Sequence, residues 1–278
     1  MRYGGGIKAR YHAHVACHAG IITLRAGAAF PVFCSGAPRK GAPPPGRQHG
    51  MKNALLSKLP PAELAKLAPL LKYQSVQQHT VLFHPDQPMK VVYFPISAVI
   101  SLVAELATGE TIEAAMVGSD GAVGATSALS GAGALSRGVV KLAGDVLVCD
   151  VADLRTVAMN SAQVMSLLIR HDQSVYAQAQ QSVACSATHS VQARLCRWLL
   201  RARDFSGDRN LQFTHEYLAV MLGVTRSSVT TEARLMQEAG LIRYARGSIT
   251  ILDLEALEEC ACECYTAVKL QYSRLLSS

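Results

Sequence analysis

The stretch Val220-Met-Leu-Gly-Val-Thr-Arg-Ser-Ser-Val229, VMLGVTRSSV, changes character at Gly223, from apolar residues to small hydroxyl side chains around Arg226. Gly223 stands where a short apolar helix must end and the chain must turn, the position after a helix C-terminus that suits a residue without a Cβ. Thr214 is a strong N-cap for that helix. Tyr217 stands three positions on in place of Glu or Gln, so the cap comes without the full capping box. Leu218, Met221 and Leu222 form the apolar face.

Beyond the turn, Thr225 caps a second helix. Its inward side is Val229, Ala233 and Met236, and its outward side offers Arg226, Ser227, Thr230, Thr231 and Arg234. A small residue at Ala219, a glycine four positions later and a valine six after that make the packing skeleton of a helix-turn-helix. The outward residues suit DNA: arginine donates two hydrogen bonds to guanine O6 and N7, while serine and threonine bond phosphates or base edges. The following IRYARGSITI reads as a β hairpin around Ala245-Arg246-Gly247, a wing able to set Arg246 on a phosphate.

Charge supports this placement only once it is located. The net charge of +7 comes from 27 basic and 20 acidic residues, and the first fifty residues hold Arg2, Lys8, Arg10, Arg25, Arg39, Lys40 and Arg47 with no acid. The remainder is formally neutral. Within it, residues 190–250 carry nine arginines against five acids, so the basic region coincides with the helix pair.

Working outward, residues 80–83, 91–94, 98–103, 111–117, 138–142 and 145–151 are short β-rich runs separated by turn formers. Strands at intervals of about ten residues predict an antiparallel sandwich or barrel. Before them, leucines at helical spacing from Leu55 to Leu71 and the Pro60-Pro61 pair predict two short helices. Residues 152–187 contain no Gly or Pro. Met165, Leu168, His171, Asp172 and Val175 lie there at three- and four-residue spacings, which predicts one long helix able to pair with its own copy. A helix lying on its own barrel is the other reading.

Residues 1–50 have neither helical nor strand periodicity. They read as a disordered leader or an over-extended start, with a targeting peptide as the alternative. Met51 opens the first clean domain. With 278 residues, two folded units are expected, and no run approaches the eighteen apolar residues of a membrane span.

The chain from Met51 on resembles the Crp/Fnr superfamily of bacterial transcription regulators. VYFPISAVISLVAEL (92–106), QSVACSATHSVQARLCRWLL (181–200) and LAVMLGVTRSSVTTEARLMQEAGLI (218–242) carry the likeness. It implies an α+β chain: a sensor barrel of cyclic-nucleotide-binding jelly-roll type at 51–151, a dimerisation helix at 152–188, and a winged helix-turn-helix at 189–278. It further implies a cytoplasmic homodimer reading an inverted repeat in double-stranded DNA, with RNA polymerase as a partner. By position, Arg226, Ser227 and Thr231 fall where the family contacts bases, and Thr214, Thr225 and Ser228 where it touches phosphate. Members often have Glu and Arg where this chain has Ser227 and Thr231, so a different DNA site is expected.

The sensor half departs from the cyclic AMP pattern. There the resemblance implies a Gly-Glu pair holding the ribose and an Arg followed by Ser or Thr on the cyclic phosphate. This chain has Gly124 followed by Ala125 and Arg137 followed by Gly138, so Gly124 and Arg137 mark a candidate ligand pocket that is not expected to take cyclic AMP. No tight cysteine cluster near the start of this domain supports an iron–sulfur centre. Cys260, Cys262 and Cys264 form C-x-C-x-C on an expected helix, a spacing poor for zinc. The cysteines are therefore expected to be reduced and mostly buried, with no metal site, and His171 and His189 to be packed rather than bound to haem. No phosphate-cradling loop, nucleophile elbow or metalloprotease helix is present, so an enzyme is not expected. A regulator acting through protein contacts, with the winged helix as docking module, is the alternative.

Overall fold

The computed structural model describes residues 53–107 and 111–276. The expectation for residues 1–50 lies outside them. Asn53 anchors the start of the described chain: its amide donates to Pro95 O at 2.9 Å and Gly121 O at 2.8 Å, and its Oδ1 accepts from Leu56 N at 3.0 Å. Helix α1 (Pro61–Leu67) begins with proline at its first position, where no N–H is needed, and short 3-10 turns flank it at Leu56–Lys58 and Ala68–Leu70.

Seven strands follow: β1 (Lys72–Val76), β2 (Val81–Phe83), β3 (Val91–Pro95), β4 (Val99–Glu105), β5 (Thr111–Val117), β6 (Arg137–Leu142) and β7 (Gly144–Asp150). They form two antiparallel sheets in the orders β1-β7-β3 and β2-β6-β4-β5. Alternate side chains of both sheets point inward, and Ile100, Val117, Val140 and Val146 fill the space between them. This is the expected jelly-roll barrel, with two elements that periodicity did not reveal. Strand β1 is half exposed and polar, and α2 (Ala125–Ser130) is a six-residue helix held between Gly124 and Gly131, both left-handed.

The single helix expected at 152–188 is two. Helix α3 (Val151–Met159) stops at Asn160, and α4 (Ala162–Thr188) restarts with Ser161 as N-cap, whose hydroxyl accepts from Val164 N at 3.3 Å. Asn-Ser is a cap signal, and it outweighs the absence of Gly and Pro. Helix α4 buries Val164, His171, Gln178 and Cys185, one residue every seven, with Leu167 and Leu168 beside them. Its outward side carries Ile169, Tyr176 and Val183, 49%, 65% and 72% exposed. Leu168 and His171, expected on a face shared with a second copy, are buried within this chain instead.

The rest of the chain is α5 (Val191–Ser206), β8 (Asn210–Leu211), α6 (His215–Leu222), α7 (Arg226–Glu238), β9 (Ile242–Ala245), β10 (Ser248–Ile251), α8 (Leu254–Cys260) and α9 (Cys264–Leu276). Leu195, Trp198, Leu199, Leu218, Val229, Met236 and Ile249 pack as one core, which also takes in Val99 and Met116 of the barrel. Each such side chain contributes about 1.5–3 kcal/mol by leaving water, so the two halves share apolar burial as well as a connecting helix. Helix α9 leaves the winged region expected to run to 278: its Tyr265 joins that core, while Tyr272 and Leu276 pack with the barrel and α4. The C-x-C-x-C run does not lie on one helix. Helix α8 ends at Cys260, Cys262 is in the connection, and Cys264 begins α9.

Candidate nucleic-acid interface

The local sequence builds the interface. Thr214 Oγ1 accepts from Tyr217 N at 3.2 Å and opens α6, and Gly223, at φ 62°, closes it. An L side chain at that φ is disfavoured, so glycine sets the sharp exit. Thr225 Oγ1 then accepts from Ser228 N at 3.2 Å and caps α7, with the Ser227 and Ser228 hydroxyls at 2.9 and 2.8 Å from the same oxygen. Val229, Ala233 and Met236 face inward at 0%, 2% and 0% exposure. Arg226, Ser227, Thr230, Thr231 and Arg234 are exposed. The division of α7 into a buried and a small-polar face is the one its sequence predicts.

The wing is a two-residue hairpin. Ala245 pairs with Ser248, and Arg246 and Gly247 between them have φ of 50° and 78°. Both central residues at positive φ make the turn that matches strand twist. Glycine adopts this freely, whereas Arg246 accepts a strained backbone of order 1–3 kcal/mol to stand at the tip. The wing meets the start of α6: a Cβ added to Gly247 would lie 3.5 Å from Thr214 Cγ2. Thr214 and Arg246 are thereby brought together on one side of the helix pair.

His215, which the sequence reading did not single out, braces this assembly. Its Nδ1 lies 3.0 Å from Thr230 Oγ1 and its ring stacks on Tyr244 with centroids 3.9 Å apart. Helices α6 and α7 and the wing are thus tied by one side chain, with burial, and then Arg226, holding its pKa below the usual imidazole value. Only the fold brings residues 215, 230 and 244 together, so no local signal announces the role. Arg226 itself has Nε 3.8 Å from Glu216 Oε2, both side chains about 70% exposed. Such a pair is worth little in water and leaves Arg226 available.

The arginine excess of residues 190–250 is divided between surface and interior. Arg194 donates to Leu222 O at the end of α6, and Arg201 lies 3.7 Å from Asp120 and over the Phe205 ring at 4.3 Å. Both are buried, which corrects the use of the whole excess as a DNA-facing charge. Arg209, Arg226, Arg234, Arg243 and Arg246 are the exposed members.

In the barrel, a cavity of about 100 Å³ opens between α2 and α4. Gly124 lines it, with Ala125, Thr126 and Ser127 behind. Arg137 does not line it: the residue begins β6, and its Nη1 is 3.6 Å from Glu105 Oε2. Of the two residues expected at a ligand pocket, Gly124 is in the lining of this cavity and Arg137 follows its lining residue Ser136. Among the described residues the charged group at the cavity is Asp172, whose Oδ1 bonds Thr126, with His171 at the inner wall.

Residues 193–260 match the Crp-like helix-turn-helix domain family. No curated protein matches the chain. Among solved structures, FixK2 from Bradyrhizobium japonicum is similar with a TM-score of 0.59 at 14% identity, over 69% of this chain and 98% of that one. A CRP-family transcriptional regulator from Thermus thermophilus gives 0.58 at 21% identity, over 68% and 96%. The c-di-GMP responsive global regulator CLP from Xanthomonas campestris gives 0.57 at 14% identity, over 69% and 99%.

Proposed function

Because residues 193–260 match the Crp-like helix-turn-helix domain family and the fold is that of solved regulators of this kind, we propose that the chain is a member of the Crp/Fnr superfamily and a DNA-binding regulator of transcription, not an enzyme, working in the cytoplasm as a homodimer on an inverted-repeat site. The observation that carries this reading is the outward face of α7. Arg226, Ser227 and Thr231 stand exposed opposite the buried Val229, Ala233 and Met236, beside a wing whose tip is Arg246. In this reading Arg226 reads guanine, Ser227 and Thr231 read adjacent edges, and Thr214, Thr225, Ser228 and Arg246 hold phosphates.

The homodimer is supported by Ile169, Tyr176 and Val183, an exposed apolar row at seven-residue spacing on α4. Reading an inverted repeat requires such a pair to hold its two α7 helices about 34 Å apart, one turn of DNA. The described helices include none long and apolar enough to cross a membrane. RNA polymerase is the partner through which a bound dimer changes transcription.

The effector is proposed to be something other than a cyclic nucleotide. Asp172 repels a phosphate, and the described lining contributes no Lys or Arg to attract one. A signal at this cavity reaches the DNA face through α4, since His171 and Val175 of that helix form its wall.

Selection of bound duplexes from a randomised pool with the full chain, with and without cyclic AMP, tests the whole reading. An inverted repeat is expected in both conditions. Enrichment of no sequence, or enrichment that requires cyclic AMP, would contradict the corresponding part.

A further inference from the structure

Four residues outside the DNA-facing surface converge at the base of α4. The Sγ atoms of Cys185, Cys262 and Cys264 and a ring nitrogen of His189 all lie within 4.8 Å of one another. Cys185 Sγ is 3.5 Å from Cys262 Sγ, and Cys264 Sγ is 3.5 Å from His189 Nδ1. We propose that these four residues are a Cys3His site for a single zinc ion.

The spacing is close to that of a zinc site. Tetrahedral bonds of about 2.3 Å to sulfur and about 2.0 Å to nitrogen put two sulfurs about 3.8 Å apart and a sulfur and nitrogen about 3.5 Å apart. An iron–sulfur cluster spreads its thiolates around several irons and needs more room than this. Two local devices supply the ligands. Cys185 and His189 are four positions apart across the last turn of α4, His189 being its C-cap, and Cys262 and Cys264 straddle the break between α8 and α9. The break gives these two cysteines a common direction that one helix would deny them.

The surroundings are those of a ligand set rather than of ordinary packing. The three thiols are buried, at 0%, 7% and 0% exposure, in a small cluster whose other apolar member among the described residues is Ala193. His189 Nε2 lies 3.1 Å from Glu263 Oε1, which leaves Nδ1 to face the sulfurs, the carboxylate–histidine arrangement that orients a zinc ligand. Gln181 Nε2 donates to Cys264 Sγ at 3.0 Å. Three thiolates and Zn²⁺ sum to one negative charge, and Arg194 and Arg197 lie close enough for their charges to act on these cysteines. Zinc binding to such a set releases the thiol protons.

Occupied, the site staples the end of the long helix to the α8–α9 junction. Helix α5 leaves two residues after His189, and its Arg194 donates to Leu222 O at the helix-turn-helix corner. The ion therefore fixes the angle at which α4 hands over to the DNA-facing helices. The zinc site stands or falls independently of DNA binding, because its own readout is metal content.

The full chain, purified reduced, is assayed for bound metal and reconstituted with Zn²⁺ or Co²⁺. One zinc per chain is expected, and the cobalt form should show thiolate-to-metal charge transfer and the strong visible bands of a tetrahedral centre. Cys185→Ser and Cys262→Ser should lose the metal, while Cys149→Ser, Cys196→Ser and Cys260→Ser should keep it. Glu263→Gln should keep the cobalt spectrum and bind about 10–100-fold more weakly. Should a serine variant misfold, alkylation rates of the unaltered chain with zinc and after chelation decide: chelation should speed alkylation of Cys185, Cys262 and Cys264 and leave that of exposed Cys260 unchanged, and equal rates in the two states overturn the assignment. A reduced chain that takes up no zinc at micromolar concentration overturns the assignment. So does metal that survives loss of Cys185 and Cys262, or a cobalt spectrum without thiolate charge transfer.

Discussion

The indole Nε1 of Trp198 donates to Glu113 Oε1 at 2.9 Å, joining helix α5 to strand β5 of the barrel. Around this bond, Ser101 donates to the other Glu113 oxygen, Lys141 Nζ sits 4.6 Å over the Tyr217 ring, and Ile112 lies 3.7 Å from where a Cβ on Gly223 would be. The contact thus reaches from the barrel to the corner of the helix pair. Burial pushes the Glu113 carboxyl above its usual range despite Lys141 and its two donors, so the carboxylate depends on these partners.

Replacing Trp198 by Phe keeps most of the apolar volume and removes the donor. A charge-assisted bond of this kind contributes about 1.5–3 kcal/mol, and Tm should fall accordingly. Differential scanning calorimetry of Trp198→Phe and Glu113→Gln, with the double variant, checks the coupling. Additive losses in the double variant would mean that the bond contributes nothing across the seam.

Ile169, Tyr176 and Val183 form the outward row of α4. Ile169→Glu combined with Val183→Glu places charge on exposed positions, so the monomer fold should persist while self-association weakens by more than about 2 kcal/mol for each buried apolar side chain lost. Sedimentation equilibrium should show a monomer with unchanged circular dichroism. A variant that still sediments as a dimer would move the interface elsewhere.

Arg246 at the wing tip is a phosphate contact in this account. Arg246→Ala should weaken binding to all duplexes alike and lower the slope of log K against log salt by about one per half-site, about two for the dimer. Anisotropy titrations at several salt concentrations measure both. A loss confined to the preferred sequence would make Arg246 a base reader.

His171 links the barrel cavity to stability. Its Nε2 is 2.9 Å from Ala122 N and 2.8 Å from Ala122 O, and its Nδ1 has no hydrogen-bond partner among the described residues. Burial holds its pKa below the usual value although Ala122, Asp120 and Asp172 pull the other way. The unfolded chain takes up the proton first, so this contribution is fully present above about pH 6.5 and is lost as pH falls below it, by up to about 1.4 kcal/mol per unit. His171→Gln should flatten the unfolding midpoint against pH over that range. Parallel profiles for the two proteins would remove His171 from the account.

The legible parts of this chain are those whose cause is local. Thr214, Gly223 and Thr225 act on their own neighbours, so the helix pair can be read from a few residues, and the strands announce themselves by short β-rich runs between turns. The Ser161 cap is equally local but is hidden by a long stretch without Gly or Pro. What cannot be read depends on distant residues meeting. Trp198 finds Glu113 85 positions away, and Cys185 finds Cys262 77 positions away. Taken alone, the C-x-C-x-C spacing argues against a metal, because nothing in it reveals that Cys185 and His189 complete the set.

The most direct test of the central claim is the affinity of the Arg226→Ala chain for the selected inverted repeat, measured beside the unaltered chain across salt concentrations. The account predicts a loss of about 1–3 kcal/mol per contacted half-site, with relaxed preference at the base pair Arg226 reads. Unchanged affinity and sequence preference would contradict recognition through α7 and leave the winged helix as a surface for protein contacts.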